Sequence, residues 1–217
     1  MPAADSDTLS ELDVIILDYD AGNLRSVVRA VERVGARPQV ASVPAALDEA
    51  DVVILPGVGA AADTMHNLRE RMLVEPIREY IEAERPFLGV CMGLQALMTV
   101  SEEGGEHACL DILPGRVVRL PEGRKIPHMG WNRLVPQRDS RLLDGIPPGA
   151  HFYFVHSYHC AMEDPTDVVA TAEYGADVTA LVERGRLAAT QFHPEKSGAY
   201  GLRIYRNFLR TQAGAQT

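Results

Sequence analysis

Three side chains in this 217-residue sequence are of types that could together break an acyl bond: Cys91, His193 and Glu195. Cys91 follows a short apolar run, residues 86–90, and stands between Gly89 and Gly93 ahead of a segment with helical spacing. A strand that turns sharply into a helix exposes the residue at the turn, and small flanking residues let the two elements pass closely, as in a nucleophile elbow. A thiol at a helix N-terminus sees free N–H groups and the positive end of the helix dipole, which favour the thiolate. Taken alone, Gly-x-Cys-x-Gly also fits a small buried hydrophobe, because free cysteine is among the most buried residue types. A thiolate nucleophile needs a base, and the base needs a group to fix its tautomer and orientation. Phe192-His193-Pro194-Glu195 offers both at the end of an expected strand over residues 187–193. In extended backbone, residues i and i+2 share a face, so Glu195 would reach the His193 ring while Pro194 fixes φ between them. An isolated His-Pro-Glu also fits a solvated pair, and it acquires catalytic meaning only beside Cys91.

The elements that must position these groups are legible in the apolar spacing. Residues 12–17 form a continuous Val/Ile-rich run suited to a strand buried on both faces, and a polar turn, Asp18 to Asn23, follows. Leu24, Val27, Val28, Val31 and Val34 recur at helical spacing up to Gly35, a helix stop. A second strand is expected over 37–42, a weak helical turn over 45–49, and a third strand over 51–55 that runs into Pro56-Gly57-Val58-Gly59-Ala60. Such a loop can turn backbone N–H groups toward an anion or simply permit a tight turn. It lacks the Lys-Ser/Thr of a phosphate loop. Helices over 63–71 and 76–84 lead into the elbow strand. Alternating strands and helices predict an α/β fold, a mainly parallel doubly wound sheet flanked by helices, with ligands at the carboxyl ends of the strands. Beyond Thr99, short strands are expected over 116–120, 133–135, 151–155, 168–173 and 178–183, with a hairpin turn at Arg184-Gly185-Arg186, extending the sheet with antiparallel strands. A last helix over 200–211 would bury Leu202, Tyr205, Phe208 and Leu209. Of the remaining histidines, His66 and His107 read as surface residues and His151 and His159 as strand residues, whereas His128 and His156 stand in unusual local sequences.

Composition narrows the classes. With 46% hydrophobic and 24% charged residues the chain is ordinary globular material, long enough to bury about 70% of its extended surface in one core. We expect tails at 1–11 and 213–217, the first of them mobile, around a single domain at 12–212, because no Pro/Gly/Ser-rich linker divides the chain. A net charge of −9 disfavours nucleic acid and anionic membrane as partners. The three cysteines, Cys91, Cys109 and Cys160, give neither a disulfide framework nor a zinc signature, which points to a reducing cytoplasm and no metal. The acidic N-terminal stretch has no basic start or apolar core of a secretory signal, and no run of eighteen apolar residues occurs.

Gly89-Val90-Cys91-Met92-Gly93-Leu94-Gln95, Pro56-Gly57-Val58-Gly59 and Gln191-Phe192-His193-Pro194-Glu195 together resemble the class I, triad-type glutamine amidotransferases. Within them, Asp18-Tyr19-Asp20-Ala21-Gly22-Asn23 with Ser26, Pro127-His128-Met129-Gly130-Trp131-Asn132 and Phe154-Val155-His156-Ser157-Tyr158 resemble the glutaminase subunits of imidazole glycerol phosphate synthases, over residues 12–209. One departure is Ala61, where an aromatic residue is more usual. The resemblance implies that Cys91 attacks the side-chain amide of glutamine, that His193 protonates departing ammonia, and that Glu195 orients His193. It implies oxyanion donors from the backbone of Met92 and of Val58 or Gly59, and substrate contacts from Gly57, Gln95, Ser157 and Tyr158. No cofactor is implied. Ammonia at neutral pH is mostly protonated and no longer nucleophilic, so its product must pass directly to an acceptor site. The resemblance implies a (β/α)₈-barrel cyclase subunit as partner, with Asn23, Ser26, Met129, Trp131 and Lys196 at the contact face. Met129 and Trp131 would equally suit core packing, and Lys196 a solvated surface. The resemblance also prompts the expectation that turnover stays low until the partner binds its nucleotide, with the Pro56 loop reorienting. Three other readings fit parts of the pattern: an amidotransferase subunit for a different synthase, a related cysteine hydrolase or peptidase, and a catalytically silent docking subunit.

Overall fold

The computed structural model describes residues 9–20 and 22–213. Ala21 of the expected polar turn lies outside the described residues, as do residues 1–8 and 214–217 of the expected tails. Leu9, placed in the N-terminal tail by sequence, is 2% exposed and packs into the core with Leu12.

The first half runs β1 (Asp13–Leu17), α1 (Leu24–Arg33), β2 (Arg37–Ala41), α2 (Ala46–Glu49), β3 (Val52–Gly57), α3 (Ala61–Glu70), α4 (Val74–Glu82), β4 (Phe87–Cys91) and α5 (Met92–Ala96). The second runs β5 (Met98–Ser101), β6 (His107–Ala108), β7 (Leu113–Arg119), β8 (His128–Arg133), β9 (Val135–Pro136), β10 (His151–His156), β11 (Tyr158–Met162), β12 (Val168–Glu173), β13 (Asp177–Arg184), β14 (Leu187–Thr190) and α6 (Gly198–Ala213). The main sheet has the order β2-β1-β3-β4-β14-β13-β12-β9. Its first five strands are parallel, and β13, β12 and β9 extend it antiparallel.

Alternation along the parallel strands explains their continuous apolar runs, since successive side chains enter opposite layers. Val14, Ile16, Val52, Ile54, Leu88 and Val90 join one core with Val27 and Val31 of α1 and Ile204, Tyr205 and Phe208 of α6. Ile15, Leu17, Val53, Leu55 and Phe87 join the other, with Met65, Leu68, Ile77 and Leu94. Burying a side chain of this size contributes about 1.5–3 kcal/mol, so the inner strands are held from both faces. Of the residues expected to be buried on the last helix, Tyr205, Phe208 and Leu209 are in the core and Leu202 is half-buried against it.

The second half departs from a simple extension of one sheet. β11, β7, β5 and β6 form a separate four-stranded sheet, and β8 and β10 form an antiparallel pair. The strand expected over 133–135 is broken at Leu134, which is buried and donates its N–H to Ala150 O, so β8 and β9 belong to different sheets. The helix after Cys91 lasts only five residues before Met98 starts β5. No helix among the described residues is long and apolar enough to cross a membrane.

Candidate active site

β4 ends at Cys91 and α5 begins at Met92, so the thiol sits at the turn between them. Cys91 has φ 55° and ψ −102°, a conformation that costs an L-residue about 1–3 kcal/mol unless its surroundings enforce it. Close packing does so here. A Cβ added to Gly93 would collide with the Leu55 carbonyl oxygen of β3, and one added to Gly89 would stand 2.9 Å from the Gly93 carbonyl. The two glycines therefore let the short helix lie directly on the strands. Met92 is the first residue of that helix, and its N–H has no acceptor within the helix.

The parallel pairing of β4 with β14, Val90 opposite Thr190, delivers the chain beyond β14 to the same sheet edge as Cys91. The strand stops at Thr190, three residues short of the expected His193, and Pro194–Lys196 form a 3₁₀ turn. The i, i+2 contact expected from extended backbone is made instead by this turn. His193 Nδ1 lies 2.8 Å from Glu195 Oε1, with the two side chains 2% and 1% exposed. A carboxylate can only accept, so Nδ1 carries the proton and Nε2 is left for chemistry. Among the described residues Nε2 has no geometric hydrogen-bond partner, and His193 lines one cleft with Cys91. Burial alone would lower the His193 pKa, but the neighbouring Cys91 sulfur and Glu195 carboxylate outweigh it and raise the ring to about 9. Ser197 braces the turn by donating its hydroxyl to His193 O at 2.7 Å and accepting Tyr153 N–H at 2.9 Å.

The cleft encloses about 450 Å³. Val58, Gly59, Cys91, Met92, Gln95, Ser157, Tyr158, His193 and Lys196 all line it, which brings together most of the residues singled out in the sequence. Gly57 is buried and paired with Cys91 in the β3–β4 register. Gln95 Nε2 donates to Tyr158 O at 2.9 Å and to Gln191 Oε1 at 3.1 Å, and Gln191 Nε2 approaches Cys91 Sγ at 3.8 Å. Gln191 had no assigned role in the sequence, yet it is fully buried between the helix and the thiol.

Two further residues make contacts at the site that sequence spacing does not show. Glu103 lines the cleft and accepts the N–H of Ala61, the first residue of α3, at 3.0 Å. The small side chain at 61 is buried beneath that contact. The contact that marks Glu103 joins residues 42 apart in sequence, a relation that local spacing does not contain. Asn23, expected at a partner face, also donates Nδ2–H to Glu195 Oε1 at 3.1 Å. It occupies the left-handed region at φ 57° at the start of α1 and makes no side-chain cap there, so its amide is free for the triad carboxylate. Ser26 is half-buried in the first turn of α1. Met129 and Trp131, for which core packing was an alternative, are 63% and 57% exposed on β8. Lys196 is exposed at the cleft rim.

A buried imidazole bonded to a carboxylate, opposite a strained thiol in a cleft, is equipped for acyl transfer through a thioester. Comparison with known proteins identifies the family. The family described as glutamine amidotransferase class-I matches residues 15–211. Imidazole glycerol phosphate synthase subunit HisH of Dehalococcoides mccartyi (strain CBDB1) is 48% identical over 201 residues, 93% of this chain and 98% of that one. The subunit of the same name from Desulfitobacterium hafniense (strain DSM 10664 / DCB-2) is 50% identical over 193 residues, covering 89% and 92%. Among solved structures, PurLQS from Thermotoga maritima superposes with a TM-score of 0.74 at 19% identity, covering 92% of this chain and 98% of that chain. A crystal structure of a glutamine amidotransferase gives 0.73 at 23%, with the same coverage. The match across nearly the whole domain, on a fold that sets a cysteine at its elbow, means that the chain belongs to the class-I glutamine amidotransferases.

Proposed function

We propose that this chain is the glutaminase subunit of an imidazole glycerol phosphate synthase, serving histidine biosynthesis, and that Cys91, His193 and Glu195 are its catalytic triad. The observation that carries the reading is the buried His193–Glu195 pair facing the strained Cys91 across a cleft of glutamine's scale. Cys91 Sγ attacks the side-chain amide carbon, and the oxyanion that develops is met by backbone N–H groups of Met92 and of Val58 or Gly59. Losing one such donor typically costs about 10²–10³ in rate. His193, which holds the proton given up by the Cys91 thiol, passes it to the departing nitrogen, and ammonia leaves. Water then attacks the thioester carbon as His193 takes its proton, glutamate leaves, and the thiol is regenerated. Glu195 keeps Nδ1 protonated throughout and Nε2 directed at the reacting atoms. Gln95, with the backbone at Ser157 and Tyr158, bounds the substrate's amino-acid end, and the Glu103 carboxylate supplies a partner for its ammonium.

The subunit names of the relatives support a cyclase partner for ammonia. We place that partner, a (β/α)₈ barrel, against the exposed Met129 and Trp131 on β8, with Lys196, Ser26 and Asn23 at the rim. The enzyme works in the cytoplasm, in keeping with three free cysteines. Labelling by a glutamine-analogue electrophile, mapped to Cys91 and lost in Cys91→Ala, tests the glutaminase. Co-purification with a barrel cyclase and glutamine-dependent cyclase turnover test the partnership. Equal glutamine turnover with and without partner and nucleotide would overturn the idea that the Pro56 loop gates activity.

A further inference from the structure

β8 and β10 pair in antiparallel register with His128 directly opposite His156. His156 lines the active-site cleft, and neither imidazole is used by the chemistry above. Their hydrogen bonds have only one consistent direction. His156 Nδ1 lies 2.8 Å from the Tyr158 carbonyl oxygen, which can only accept, so Nδ1 carries a proton. In a neutral ring Nε2 is then an acceptor. It faces His128 Nδ1 at 3.0 Å, which must therefore be the donor. The remaining His128 nitrogen, Nε2, accepts from Asn132 Nδ2 at 3.3 Å. The Asn132 amide cannot be reversed, because Nδ2 also donates to Glu173 O at 2.9 Å while Oδ1 accepts Arg133 N–H at 2.8 Å. Both ends of the chain are thus fixed by backbone groups, and both rings are held as the Nδ1–H tautomer, the minority form of a free neutral imidazole.

We infer that His128 and His156 are positioning residues for glutamine binding, an ordered relay from Asn132 that fixes the backbone at Tyr158 where it walls the substrate cleft. The inference rests on the glutaminase reading above. Tyr158 O receives two donors, His156 Nδ1–H and Gln95 Nε2–H, which occupy both its lone pairs and hold that segment between the elbow helix and β10. The His128 ring is stacked between Tyr174, with centroids 3.9 Å apart, and Phe154, at 4.8 Å, so it cannot swing to another partner. Burial keeps both imidazoles neutral, lowering His128 to about 4 and His156 to about 3, the latter despite the opposing pull of the Tyr158 carbonyl. Neutrality is what the relay requires, since a charged ring would present two donors and break the direction of the chain.

The test uses the full chain. His128→Phe keeps the aromatic stack but leaves His156 Nε2 buried without a donor, whereas His128→Asn restores an N–H near the Nδ1 position. We expect His128→Phe to raise the KM for glutamine about tenfold with kcat within about threefold of wild type, and His128→Asn to recover most of the loss. Independently, ring-nitrogen NMR of the wild-type chain should show Nδ1–H on both histidines at neutral pH. An unchanged KM in His128→Phe, equal loss in both variants, or an Nε2–H tautomer on either ring would overturn the proposal. The NMR result decides it even where a variant does not fold. Absence of glutamine turnover in the wild type with its partner would instead strike the glutaminase reading, leaving the tautomers as found.

Discussion

His193 and His156 line one cleft, are both buried, and are driven in opposite directions. Desolvation acts against the charge of each. At His193 it is outweighed by the Cys91 sulfur and the Glu195 carboxylate, and the ring keeps its proton up to about pH 9. At His156 the neighbours are a carbonyl oxygen and a second imidazole, which cannot offset burial, so the ring stays neutral down to about pH 3. Depth therefore does not decide what a buried histidine does; the charge of its hydrogen-bond partner does. The molecule uses one outcome to move a proton and the other to hold a wall in place.

The comparison can be broken most severely at the thiol. Cys91→Ala removes the nucleophile and one of the two groups that hold the His193 proton, so glutamine turnover should fall by about 10⁴-fold or more, and His193, followed by NMR, should titrate below about pH 9. Glu195→Gln keeps the shape but not the charge. Turnover should drop about 10²–10⁴-fold, and the alkaline limb of kcat/KM, set near pH 9 by His193 deprotonation in the wild type, should move to lower pH. A pH-independent profile in both proteins would refute the assignment of that limb to His193.

Stability should show the same opposition with smaller amplitude. His193 binds its proton more tightly folded than unfolded, so its contribution is complete below about pH 6.5 and is lost as pH rises through about 9. His128 and His156 are the reverse: their neutral burial contributes fully above about pH 6.5 and is lost as pH falls toward about 4 and about 3. Urea midpoints measured across pH should fall at both ends, and the acid loss should shrink in His128→Phe. The gentlest change is Asn23→Ala, which removes one donor to Glu195 and leaves His193 Nδ1 in place. A two- to tenfold loss of kcat is expected, in line with about 0.5–1.5 kcal/mol for one hydrogen bond.

The parallel half of the fold was legible because each element carries its own signal: β1, β3 and β4 as unbroken apolar runs, α1 by its spacing up to Gly35, which takes φ 107°. The elbow was legible for the same reason, since the glycines that permit its close packing lie within two residues of Cys91. Beyond Thr99 the strands are short, and their partners are distant in sequence. Spacing could not tell that β5, β7 and β11 leave the main sheet, or that residues 133–135 straddle two sheets. Phe152, Phe154 and His156 do alternate on the buried face of β10, a pattern that points an imidazole inward, but what it meets there depends on the β8 register.

The sequence by itself determined that a thiol stands at a strand-to-helix turn and that His193 and Glu195 lie two residues apart, because these are relations between near neighbours. Only the tertiary structure decided that β14 lies beside β4 and so brings His193 to Cys91, that a 3₁₀ turn and not a strand makes the His193–Glu195 contact, and that Asn23 reaches Glu195 across 172 residues. Those outcomes depend on which strands pair and in what register, a property of the whole buried sheet that no local stretch of sequence contains.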